Sequence, residues 1–300
     1  MVKRRVFVSV PMNHHLDSAS REIVQAVLGQ IAEAGFEPQR FLFSGLPADM
    51  GWNFQTVDEV MRRCVGAMIF ALPRRTANEA ENPQNGPVVL PTEWNHYEGA
   101  VANTLGLPTL ILAEKGIADT GIAYMGGGKP ILFKPRDADV QWLRDETFRH
   151  RFTLWLDKLN ERHDVFLGYC SKARDTANAI NLFLAGLGVK VLDWAKFSAG
   201  GNILDEIERA SSLSSAGIFL FTKDDFLEEA QGDRAAPRDN VVFEAGYFTQ
   251  SKGRERVLII RESDVKIPAD IGGNIYLPLE NRRDISSIET RLRSFIENRL

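Results

Sequence analysis

A carboxylate set among apolar neighbours, Glu244 in the stretch from Pro237 to Phe248, is the residue best placed to do chemistry in this chain. It follows the apolar run Val241-Val242-Phe243 and precedes the small pair Ala245-Gly246. If the segment opens a helix beneath a sheet edge, Glu244 points into the crevice at the strand ends, where open α/β sheets bind ligands. A lone acid in such a crevice suits a reaction that develops positive charge, such as cleavage of a bond to a sugar C1. A buried helix-start glutamate accepting backbone N–H bonds fits the same dodecamer equally well.

The elements that must position Glu244 are written twice. Val6 to Pro11 reads as a strand, and Ser18 to Ala34 shows helical periodicity stopped by Gly35. In the second half Asp164 to Tyr169 reads as a strand and Asp175 to Leu184 as a helix, ended by Gly186 and Gly188. Downstream, Gly66 to Leu72 matches Gly217 to Phe221, and Leu107 to Leu112 matches Arg256 to Ile260. Between them Pro91 to Glu98 matches Pro237 to Glu244, each glutamate seven positions after its proline. Strands alternating with helices imply parallel sheets with right-handed crossovers.

The expected architecture is α/β, two tandem doubly wound parallel-sheet domains. Residues 1–136 form the first, 162–300 the second, and the apolar-striped segment 137–161 a helical connector that packs between the halves, closes the first domain as its last helix, or does both. Two polar loops, 74–88 and 227–236, are expected to lid a pocket because each precedes its repeated glutamate.

With 300 residues, 44% hydrophobic and 25% charged, each half can bury its own core. A net charge of −4 gives no nucleic-acid footprint, so no direct nucleic-acid binding is expected. Two cysteines, Cys64 and Cys170, exclude a disulfide framework and a four-cysteine metal site, and no histidine spacing suggests a metal. There is no apolar run of membrane-spanning length, and Met1 leads straight into a strand-like segment, so a cytoplasmic protein without a membrane partner is the expectation.

The stretch from Asp164 to Lys172 resembles the opening strand and loop of TIR domains. The later segments Ser198 to Glu208, Thr222 to Asp225, Arg238 to Phe248 and Ile267 to Gly273 resemble the bacterial TIR-like domains that act as effectors in nucleotide-signalled antiphage defence, within a doubly wound, flavodoxin- or TIR-like fold. The resemblance implies NAD+ glycohydrolase chemistry, with NAD+ as substrate and no separate cofactor. Glu244 would then hold the ribose hydroxyls and stabilise the oxocarbenium-like transition state, or act briefly as nucleophile. Nicotinamide leaves as a neutral ring, so one carboxylate suffices where ordinary glycosidases use two.

Around Glu244, Ser198 and Gly201 belong to a glycine-bearing loop whose backbone can approach phosphates at a helix start. Trp194 and Phe197 offer stacking surfaces or simple packing. Tyr169, Ser171, Asp225, Arg238 and Asn240 complete the expected substrate contacts, Asp225 with its neighbour Asp224 through a ribose hydroxyl or as a helix cap, and Arg238 through a phosphate or a surface ion pair. TIR-type sites are usually completed by a neighbouring subunit, which implies a homo-oligomer switched on by a nucleotide second messenger or a protein activator.

The first half departs from this pattern and resembles the wider nucleoside deoxyribosyltransferase-like group. Its Glu98 is a possible second site. Two other functions stay open: a non-catalytic nucleotide-sensing or adaptor protein, and a deoxyribosyltransferase or nucleoside hydrolase working through Glu98.

Overall fold

The computed structural model describes residues 3–41, 51–78, 86–193, 202–227, 234–266, 273 and 275–300. Two compact units meet at Glu161/Arg162 in the chain. In the N-terminal unit, β1 (Arg4–Ser9), α1 (Ser18–Glu33), β2 (Phe36–Gln39), α2 (Phe54–Met61) and β3 (Cys64–Ala71) come first. A small hairpin, β4 (Arg75–Asn78) with β5 (Pro87–Leu90), leads into α3 (Glu93–Thr104). Then β6 (Thr109–Glu114), β7 (Ile131–Lys134) and α4 (Glu146–Glu161) close the unit.

The C-terminal unit repeats the series. It runs β8 (His163–Gly168), α5 (Arg174–Gly186), β9 (Val191–Asp193), α6 (Ile203–Leu213) and β10 (Ser214–Phe221). The hairpin β11 (Asp225–Leu227) with β12 (Arg234–Ala236) again precedes the helix that carries the glutamate, α7 (Asp239–Lys252). β13 (Val257–Glu262), β14 (Ile275–Leu279) and α8 (Ser286–Arg299) finish it.

The two five-stranded sheets have orders β2-β1-β3-β6-β7 and β9-β8-β10-β13-β14, every pairing parallel. Both are doubly wound α/β folds. In each, the first strand lies beside the third, so the chain changes winding direction there and leaves a crevice at the carboxyl ends of those strands. The central strands β3 and β10 are buried along their whole length, as parallel strands covered on both faces must be.

Strand alternation decides which residues see the glutamate helix. In β1, Val6 and Val8 face α1 and α4, packing with Ile23, Val27, Phe152 and Trp155. Phe7 faces the other way, with Val57 and Met61 of α2 and Ala102 of α3. Ser9, two residues on, therefore points toward α3. The same count in β8 puts Phe166 against Phe248 of α7, ring centroids 5.0 Å apart, and sends Gly168 toward α7 as well.

Two expectations are sharpened. Of the two readings of segment 137–161, the structure bears out the last helix of the first unit, since α4 buries Phe148, Phe152, Trp155 and Leu159 in that unit's core. The two segments expected as loops contain antiparallel strand pairs, β4 with β5 and β11 with β12, and their residues 79–85 and 228–233 lie outside the described residues. Among the described residues no helix is long and apolar enough to cross a membrane.

Candidate active site

α7 starts after Pro237 and turns Val241, Glu244, Ala245 and Phe248 inward, a spacing of three, one and three that makes one helical stripe. Phe248 wedges the helix onto the sheet over Gly217, where a Cβ would come within 2.8 Å of its ring. Burying such a side chain is worth about 1.5–3 kcal/mol, enough to hold the helix in register. Glu244 occupies a stripe position that an apolar residue would normally fill.

Glu244 is 8% exposed, and its carboxyl sits against Gly168. A Cβ at Gly168 would lie 2.9 Å from its Oε2 and 2.5 Å from the Phe219 ring, so only glycine leaves room for this placement. Among the described residues Oε2 has no hydrogen-bond partner. Desolvation alone pushes the Glu244 pKa up to about 7. The reading in which Glu244 is a helix-start acceptor of backbone N–H bonds is not what the structure shows, because the side chain lies past the first turn with that oxygen unclaimed.

The other expected site residues divide into four groups. Trp194, Phe197, Ser198 and Gly201 lie outside the described residues. Asp225 and Arg238 come together: Arg238 Nε is 3.3 Å from Asp225 Oδ2, an ion pair between β11 and the start of α7. Ser171 is exposed in the 3-10 turn after β8, and Asn240 is exposed in the first turn of α7. Tyr169 departs from its expected role as an open substrate contact. It is buried, and its hydroxyl donates to Asp193, 2.9 Å from Oδ1 and 3.1 Å from Oδ2.

Asp193, at the end of β9, and Gly168 are the residues that sequence reasoning missed here. Counting along the repeated first strands would have flagged Gly168, since it is the position that meets the helix. Asp224, expected to meet a ribose hydroxyl or cap a helix, is buried and accepts from the Thr222 hydroxyl at 2.8 Å. Among the described residues no group of three or more His, Cys, Asp or Glu could hold a metal ion.

In the N-terminal unit α3 shows the same inward stripe, Asn95, Glu98, Gly99 and Ala102. Here the carboxyl is engaged. The Trp52 indole N–H donates to Glu98 Oε1 at 2.8 Å, and the Ser9 hydroxyl hydrogen-bonds it as well. Asn95 Nδ2 donates to Ser9 Oγ at 2.7 Å, while its Oδ1 accepts from the Thr92 hydroxyl at 2.7 Å within a capping box. Burial pushes Glu98 up to about 7 against the opposing pull of those two donors. A cavity of about 450 Å³ opens beside it.

Residues 164–281 match the family model described as "CAP12/Pycsar effector protein, TIR domain". The C-terminal half is TIR-like. Among curated relatives, "CD-NTase-associated protein 12" of Sphingobacterium faecium is 33% identical over 110 residues, 36% of this chain and 34% of that protein. "Uncharacterized protein YuaY" of Escherichia coli (strain K12) is 30% identical over 109 residues, 35% and 36% of the two chains. "Pycsar effector protein BcPycTIR" of Burkholderia cepacia is 30% identical over 122 residues, 39% and 40% of the two. The chain thus spans 34–40% of the length of these relatives. The family match lies wholly in the C-terminal half, so it says nothing for the deoxyribosyltransferase likeness expected of the N-terminal half.

Proposed function

We propose that the C-terminal unit is an NAD+ glycohydrolase and that the chain acts as a TIR-type effector of antiphage defence. The observation that carries this reading is the buried Glu244 carboxyl with an unclaimed oxygen. A buried carboxyl left without a donor costs free energy in the empty protein, and ribose hydroxyls are donors of the kind it lacks. The pyridinium charge of NAD+ favours the ionised form that burial disfavours.

In the reaction the bond from ribose C1′ to the nicotinamide nitrogen breaks. Its electron pair leaves with the ring, which becomes neutral nicotinamide. Positive charge develops at C1′ and the ring oxygen, where the Glu244 carboxylate stabilises it. Water then adds at C1′ and releases a proton, giving ADP-ribose. Arg238, exposed beside Asp225 at the mouth of the same helix, is placed to meet a phosphate by exchanging its ion pair.

The expected dependence on a homo-oligomer and on a nucleotide or protein activator belongs to this proposal. The names of the relatives, a protein associated with a CD-NTase and a Pycsar effector, support a signalled effector. The test is nicotinamide release from NAD+ across protein concentrations that span assembly. Glu244→Gln should lower release by about 100-fold or more with an unchanged far-UV spectrum. Full release in that variant removes Glu244 from the chemistry, and no release by the parent chain in any assembly state leaves an adaptor role.

A further inference from the structure

The cavity beside Glu98 lies in the other unit and plays no part in the NAD+ reading. At about 450 Å³ it falls within the range of small-molecule sites, roughly 300–1,000 Å³. Its wall is aromatic. Trp52 and Trp94 stand with ring centroids 4.2 Å apart and planes tilted by 53°, and Phe41 lines the cavity as well. Trp94 is 44% exposed although it borders a pocket rather than a core. An indole held open beside a cavity is a surface waiting for a planar ligand.

The polar groups sit at two levels. At the inner end Glu98 is held by Trp52 and Ser9, which leaves acceptor capacity on the carboxyl for one further donor. At the outer edge Arg74 and Arg75 are exposed, with His15 beside them. Among the described residues Arg75 is tied by a solvent-exposed pair with Glu93 at 2.9 Å, which a bound anion can displace cheaply. The ligand that matches has a flat ring for the indoles, a hydroxyl or N–H donor for the carboxyl, and a negative group for the arginines.

We infer that this cavity is a nucleotide-binding site that takes a mononucleotide, its base on Trp52 and Trp94, a donor group on Glu98 and its phosphate on Arg74 and Arg75. It holds the nucleotide without cleaving it. Glu98 Oε1 is occupied by the Trp52 indole, and Ser9, itself fixed by Asn95, restrains the carboxyl further. That anchoring suits recognition and hinders attack on a sugar carbon.

Intrinsic tryptophan fluorescence and calorimetry on the full chain test this with AMP and UMP, their 3′,5′-cyclic forms, and adenosine and uridine. At least one nucleotide should bind saturably with a Kd below about 1 mM. Its parent nucleoside should bind at least about tenfold more weakly, and Arg74→Ala/Arg75→Ala should erase that difference. Trp94→Ala should weaken nucleotide and nucleoside alike by about tenfold or more. These residues are exposed, so the variants should keep the parent melting temperature. No saturable binding by any of these probes overturns the inference, as does binding undiminished in Trp94→Ala. Base release from a bound nucleotide by the Glu244→Gln chain overturns the holding role, and because Glu244 is absent there the result is independent of the NAD+ reading.

Discussion

Glu98 and Glu244 are the same residue of the same helix in two copies of one fold, and their surroundings differ at every hydrogen-bonding position. Each is the sixth residue of its helix and faces the sixth residue of its unit's first strand. Around Glu98 that strand residue is Ser9, the third helix residue is Asn95, and Trp52 precedes the N-cap Asn53. Around Glu244 the matching positions in the sequence are Gly168, Val241 and Gly201, the last preceding the N-cap Asn202. None of the three carries a side-chain donor. Burial pushes both carboxyls up to about 7, so burial does not tell them apart. What differs is how much of each carboxyl the protein has used, and a group left unclaimed is the one available to a substrate.

The largest effect that sharpens this contrast is in stability against pH. Native Glu244 titrates at about 7, whereas an unfolded carboxyl titrates near its ordinary 4.5. Between those values the native state holds a proton that the unfolded chain has released. Stability from this group is therefore present at low pH and lost as pH rises toward 7, by on the order of 3 kcal/mol in all. Glu244→Gln should equal the parent near pH 4 and exceed it by up to that amount at pH 8. Melting curves from pH 4 to 8 check this, and the slope that remains in the variant should fall further when Glu98→Gln is added, because Glu98 is raised as well. Parallel curves for parent and variant would show that Glu244 is not desolvated.

Next is an attempt to make the C-terminal site resemble the N-terminal one. Gly168→Ser brings a Cβ onto the Phe219 ring and Glu244 Oε2, and overpacking of this kind costs about 1–3 kcal/mol. It should lower the denaturation midpoint, and nicotinamide release should fall because the new hydroxyl satisfies the free oxygen. A variant as stable and active as the parent would break the comparison at its central contact. The smallest effect runs the other way. Ser9→Ala removes a donor to Glu98 and an acceptor for Asn95 at a cost of about 1–2 kcal/mol. The Glu98 pKa should rise further, which carboxyl-resolved NMR titration reads; an unmoved titration removes Ser9 from the network.

Much of the fold was legible because apolar runs and amphipathic stripes alternate, and because the second half repeats the first with the same proline-to-glutamate spacing. Glu244 and Glu98 were legible for that reason. Their partners were not. Ser9 and Asn95 are 86 positions apart and meet only because β1 ends beneath α3. Tyr169 carries an aromatic ring and a hydroxyl, and the sequence does not say that Asp193 at the end of β9 takes the hydroxyl while the ring fills the core. The 137–161 segment left two readings open because an apolar helical stripe has the same pattern whether it packs between units or, as α4 does, closes the core of one.

Periodicity and repeat spacing by themselves determined two parallel α/β units, the helix that each glutamate rides on, and the face of that helix that turns inward. These are properties of local geometry, in which side-chain direction follows from residue count along a strand or a helix. Only tertiary structure decided that Glu98 is bound by Ser9 and Trp52 beside a cavity while Glu244 lies bare against Gly168. Hydrogen bonds across the crevice join residues far apart in the chain, and whether a carboxyl is satisfied depends on which atoms the fold brings within 3 Å of it.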